Sequence, residues 1–226
     1  MNKLLTLALL GIIISTVACQ EESKGLLIAD YKIRYMAVSN TLDLQAKYKV
    51  LIPQVSAEAF FPTDGVDVLE KPMEFKSMQG HTDDYYSLKE RILFPEAIKF
   101  WFKNQKNELI EQAVEFNPLK NLSINGDIIQ RDSGFHLVWE GDTLSNKDEL
   151  RLIFDYKTEQ PVRMNMVGGS SGKKLFIRKE QIAQLKKGRV KIALIQRRYQ
   201  NYPEGSAVLG SYIVEYYHTP ISIVVE

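Results

Sequence analysis

The chain has 226 residues, 45% apolar and 25% charged, with a formal net charge of +1. That composition is ordinary for a globular protein and excludes collagen-like and highly charged disordered chains. The near-zero net charge gives no footing for nucleic acid or for attraction to an anionic membrane surface. Cys19 is the only cysteine, so no disulfide can form within the chain.

The first stretch, Met1 to Cys19, has the layout of a secretory leader. Lys3 is the positive residue, and Leu4 to Ile14 is an apolar run interrupted only by Thr6 and Gly11. The run is too short to cross a bilayer, which takes about 20 residues. Small or β-branched residues from Ser15 to Ala18 lead directly into Cys19, and polar Gln20, Glu21 and Glu22 follow. The stretch Thr16-Val17-Ala18-Cys19 resembles the leader of a bacterial lipoprotein, with Thr16 where that family usually has Leu. The looser pattern is similar to that of Bacteroidota-type proteins. The resemblance implies cleavage after residue 18, a lipid on the Cys19 sulfur and attachment to the outer membrane, on either its periplasmic or its outer face. Acylation would also remove a free thiol that is a liability in an oxidising compartment. The alternative is an ordinary secreted protein in which Cys19 ends the apolar run.

The remaining 208 residues are enough for two small domains. Period-two alternation dominates them. Tyr31, Ile33 and Tyr35 alternate with Lys32 and Arg34, and Leu42, Leu44, Ala46, Tyr48 and Val50 alternate with charged or polar residues. This predicts two half-buried antiparallel strands joined at Ser39-Asn40. Shorter strands are predicted at 66–69, 73–75, 85–92 and 98–102. The stretch 108–116 fits a helix face or a strand, and its strand-rich flanks favour the strand. Asn117-Pro118-Leu119-Lys120-Asn121, a polar joint marked by proline, is the predicted domain boundary. Beyond it, strands are predicted at 122–124, 135–140, 149–156, 163–167, 174–177, 190–195, 211–217 and 221–226. Residues 180–187 read as a two-turn helix and 199–210 as a loop. The expected fold is therefore all-β, with two tandem β-sandwich domains at 30–118 and 119–226. They follow a signal peptide at 1–18 and a lipidated cysteine with its tether at 19–29. The second half resembles an immunoglobulin-like module in architecture, without a cysteine pair.

No constellation dominates as a catalytic site. His81, Asp83 and Asp84 group a histidine with two carboxylates in one loop, a weak candidate for a metal and for a metal-assisted hydrolase. Gly168 to Lys174, GGSSGKK, lacks the spacing of a phosphate-binding loop. Ser170 and Lys173 match a Ser-x-x-Lys spacing, but a Gly-rich turn gives the lysine no burial that would deprotonate it. His81, His136 and His218 are far apart and read as surface or rim residues. Asp142-Thr143-Leu144 resembles the short O-glycosylation motif of Bacteroidota exported proteins.

Aromatic pairs are the better lead. Tyr85-Tyr86, Phe100-Trp101-Phe102 and Tyr216-Tyr217 each put rings on both faces of a strand. The outward rings, drawn from Tyr85, Tyr86, Trp101, Tyr216 and Tyr217, would anchor a partner or cover a domain joint. The expectation is a lipid-anchored binding or scaffolding protein for an envelope protein or a glycan, with no cofactor. A metal-assisted hydrolase and a purely structural spacer are the alternatives.

Overall fold

The computed structural model describes residues 25–52, 56–77, 84–126, 128–157, 160–203, 205–206 and 208–226. The strands of the first half are β1 (Leu26–Met36), β2 (Thr41–Leu51), β3 (Ala57–Ala59), β4 (Val66–Val68), β5 (Lys71–Pro72), β6 (Glu74–Lys76), β7 (Tyr85–Arg91), β8 (Ala97–Lys103) and β9 (Leu109–Glu115). Those of the second half are β10 (Lys120–Ile124), β11 (Ile128–Ile129), β12 (Phe135–Glu140), β13 (Asp148–Asp155), β14 (Val162–Val167), β15 (Lys174–Ile177), β16 (Gly188–Asn201), β17 (Leu209–Tyr217) and β18 (Ile221–Val225). One short helix, α1 (Lys179–Ile182), completes the described elements.

The fold is all-β, as the alternation predicts. One large sheet runs β11-β18-β16-β17-β1-β2-β7-β6, with β13 and β14 joined to it through β16 and β3 through β2. A four-stranded sheet, β5-β4-β8-β9, and a three-stranded sheet, β10-β12-β15, are separate from it. Two hydrophobic cores result. In the first, Ile33, Tyr35, Leu42 and Leu44 of the large sheet pack with Phe100, Phe102 and Val114 of the four-stranded sheet. In the second, Leu150, Leu152, Phe154 and Ile192 pack with Leu137 and Ile177. Each core is a two-layer sandwich.

The opening hairpin follows its sequence pattern residue by residue. Inward residues of β2 are buried and the others are half-exposed, apart from exposed Leu51 at its end. Asn40 takes a left-handed conformation in the turn, which asparagine tolerates. The stretch left open between helix and strand is strand β9, paired with β8 from Ala97↔Glu115 to Lys103↔Leu109.

Four expectations need correction. Residues 26–29 are not tether: β1 begins at Leu26, and Ala29 is fully buried. Residues 199–201 belong to β16 rather than to a loop. The helix at 180–187 is a single turn, although Ile182 and Leu185 are both buried as expected. Finally, the second half does not keep to the second core. Tyr202, Val208, Tyr212 and Val214 pack in the first.

The last point follows from how β16 is used. Its first residues pair with β18, from Gly188↔Val225 to Ile192↔Ile221. Its last residues pair with β17, from Ile195↔Tyr217 to Asn201↔Ser211. Strand β17 then lies parallel to β1, from Ile28↔Leu209 to Met36↔Tyr217. The chain thus leaves the first core at Phe116, builds the second, and returns to close the first. At about 3.3 Å per residue, β16 is a continuous rod of roughly 45 Å running through both bodies.

Candidate functional site

The junction between the cores is held by a buried polar cluster. Asp148 and Gln196 are 3% and 0% exposed. Arg198 donates to Asp148 through Nε at 2.6 Å and through Nη2 at 3.2 Å. Gln196 Nε2 donates to Asp148 Oδ2 at 3.0 Å and to the Asn117 carbonyl at 3.3 Å. Its Oε1 accepts from the Leu119 amide at 2.9 Å. Arg198 Nη1 also reaches the Glu115 carbonyl at 3.1 Å, and its guanidinium lies 5.2 Å from the Phe116 ring centre. The crossover 115–119 is therefore bound to β13 and β16 by side chains whose hydrogen-bonding groups are satisfied. Burial alone would lower the Arg198 pKa, but the hydrogen bond and charge of Asp148 outweigh it, so the guanidinium is held more firmly charged.

Beside this cluster lies an aromatic one. Tyr216 contacts Tyr35 at 5.0 Å, Phe94 at 5.4 Å and His218 at 4.7 Å between ring centres. His218 is buried, contrary to the expectation of a surface histidine, and its Nε2 has no hydrogen-bond partner. Desolvation pushes its pKa down to about 4. His136 sits elsewhere, 4.8 Å from the Phe176 ring. The two histidines do not converge. His81 and Asp83 lie outside the described residues, and Asp84 is half-buried immediately before β7. Among the described residues no group of three or more His, Cys, Asp or Glu is placed to hold a metal.

The five candidate aromatics part company. Tyr86 is buried against Tyr48 and Phe75 and is not available to a partner. Tyr85, beside it, is half-buried. Trp101 lies on the outer side of β8, in the four-stranded sheet, and its Nε1 donates to its cross-strand neighbour Glu111 at 3.1 Å. Tyr216 is committed to the junction. Tyr217 faces outward on the large sheet, with Arg34 5.8 Å from its ring centre. Tyr85 and Tyr86 are neighbours, as are Tyr216 and Tyr217, and the members of each pair point to opposite faces of their strand. Ser170 is a turn residue: its hydroxyl donates to the Gly172 carbonyl at 2.6 Å and accepts from the Leu144 amide at 3.2 Å. In the Asp142-Thr143-Leu144 stretch, Thr143 is exposed and Leu144 buried.

The outer face of the large sheet carries a charge row that sequence reading missed. Registered neighbours across six strands are Lys89, Asp43, Arg34, Glu215, Arg197 and Glu149. Arg34 pairs with Glu215 at 3.2 Å, and Arg197 lies 3.8 Å from Glu215 and 3.7 Å from Glu149. The row crosses from the first body to the second with signs alternating, so it neutralises itself. Its partners are up to 181 residues apart, which no local pattern could signal.

The second body carries several clefts among its described residues, two of them of about 600 Å³. One, of about 600 Å³, runs between the edge strands β14 and β15 and is lined by Asn165, Met166, Val167, Leu175, Phe176 and Arg178. Val167 and Phe176 expose 83% and 46% of their surface there. Among the described residues no strand pairs with the outer side of β14. The other, of about 610 Å³, lies at the end of the body where β16 begins, beside Tyr156, Lys157, Arg189, Lys191 and Ser222.

No family model matches the chain, and no curated protein matches it. Among solved structures, the FN1-FN3 domains of chicken CNTN1 are similar at 10% identity with a TM-score of 0.26, over 89% of this chain and 65% of that one. The chain spans less than two thirds of that structure's length.

Proposed function

We propose that this protein is a lipoprotein of the bacterial envelope, held at the outer membrane through Cys19, that presents its second body to a protein or glycan partner. The leader residues Met1 to Cys19 support the anchor. The observation that carries the presentation is the path of β16, one strand shared by both sandwiches. The register of β1 against β17 puts Met36 beside the junction and Leu26 at the opposite end of the first body. Leu26 lies seven residues along the chain from Cys19, a reach of at most about 25 Å. An acyl group on Cys19 would thus hold the far end of the first body near the bilayer. The second body, coupled through β16 and the Asp148-Gln196-Arg198 cluster, would stand away from it.

A protein partner has a physical route to this body. The open edge of β14 offers backbone donors and acceptors to an added strand, and Val167 and Phe176 offer apolar contact. The continuous β16 also suits a spacer, which would carry no ligand. Protease shaving of intact cells, wild type against Cys19→Ser, tests the placement. Loss of membrane association in the variant supports it, and unchanged association contradicts it.

A further inference from the structure

The cleft at the free end of the second body lies between the end of β13, the start of β16 and β18. Strand register places Lys191 between Asp155 and Ser222. Lys157, Arg189 and Lys191 supply three cations to its lining, against one carboxylate, Asp155. Asp155 Oδ1 accepts from the Lys157 amide at 2.9 Å, and with its charge counted the lining keeps an excess of two positive charges. Among the described residues, no ion pair reaches Lys157, Arg189 or Lys191. Some cations elsewhere are paired, such as Lys71 with Glu90 and Lys99 with Glu111, while others, such as Lys120, Arg163 and Lys174, have no ion pair among the described residues. What marks this cleft is that three cations share one concavity.

The walls are also fixed. The Tyr156 hydroxyl donates to the Lys186 carbonyl at 2.9 Å and accepts from the Lys186 amide at 3.0 Å. This holds the ring in place beside the cations. The volume of about 610 Å³ lies within the range of small-molecule sites, about 300–1,000 Å³. A concave surface focuses the field of its charges. Ser222 adds a hydroxyl that both donates and accepts, suited to sugar hydroxyls.

We propose that this cleft binds an acidic saccharide, with Lys157, Arg189 and Lys191 contacting its carboxylate or phosphate groups and the Tyr156 ring packing against a sugar face. This deepens the reading above by naming a ligand class, and it rests on the second body alone. Its test in solution does not depend on Cys19, so the two readings fail separately.

The test is calorimetric titration of the purified full chain with a trisaccharide of uronic acid, a neutral glucose trisaccharide, inorganic phosphate and an acidic peptide. The acidic trisaccharide is expected to bind, more weakly as salt rises, and the neutral one not to bind. Paired substitution of Arg189→Glu and Lys191→Glu is expected to weaken binding roughly tenfold or more. Lys99→Glu, on the other body, is expected to leave it unchanged. All three cleft cations are exposed, so folding should survive; if the pair fails to fold, Lys157→Gln with Lys191→Gln carries the same test. No binding of the acidic trisaccharide, equal binding of the neutral one, tighter binding of phosphate or peptide, or insensitivity to the substitutions overturns the proposal.

Discussion

Asp148 and Arg198 face each other across β13 and β16, and both carboxylate oxygens accept from the guanidinium, at 2.6 and 3.2 Å. The pair lies where the two cores meet, with the Asp148 side chain 2% and the Arg198 side chain 15% exposed. Asp148→Ala removes the acceptor that Arg198 and Gln196 share. The expected loss is about 3 kcal/mol, because breaking a buried pair leaves an uncompensated charge. Urea unfolding measures it. Replacing both partners with Asp148→Leu and Arg198→Met should cost less than Asp148→Ala alone.

His218 makes stability depend on pH. Its pKa in the folded protein is pushed down to about 4 by burial, against 6.5 for the free side chain. Between those values the unfolded chain binds the proton and the folded one does not. Stability therefore rises with pH from about 4 to 6.5 and is flat above. The full span is worth roughly 3 kcal/mol. Urea midpoints measured across this window should flatten in a His218→Phe variant; an unchanged slope would assign the effect to other groups.

The two tryptophans report different surroundings. Trp139 is 5% exposed, and its Nε1 donates to the Asp142 carbonyl at 2.8 Å. Trp101 is half-exposed beside Glu111. Iodide should quench the emission of a Trp139→Phe variant strongly and that of a Trp101→Phe variant weakly.

Gly168 is required by space rather than by backbone angle. A Cβ there would lie 2.1 Å from the Ser145 carbonyl oxygen and 2.5 Å from that of Asp148. Its amide donates to Asp148 O at 2.6 Å. Gly168→Ala must push β14 from the start of β13, with an expected loss of about 1–3 kcal/mol. The thermal midpoint should fall, whereas Gly172→Ala, with open space around it, should leave it nearly unchanged.

Much of the fold was legible because most strands bury one face. β2 and β13 show this in their alternation, and even the ambiguous 109–115 stretch fell to its neighbours. The extension of β16 was hidden for a definite reason. Gln196 and Arg198 occupy its inward positions at the junction, so the apolar period stops while the strand continues. The return of β17 to the first core was also invisible. Its partner β1 is some 180 residues away, and parallel pairing at that distance leaves no local mark. Among the aromatics, pairing predicted one ring inside and one outside, but not that Tyr216 would serve the junction. The basic cleft was missed because Lys157 and the two β16 cations, Arg189 and Lys191, meet only through the fold.

Mass spectrometry of the mature amino terminus tests the central claim most directly. The account predicts a chain beginning at Cys19, heavier than the bare peptide by its acyl groups. An unmodified Cys19 thiol, or a chain still carrying Met1 to Ala18, would contradict it.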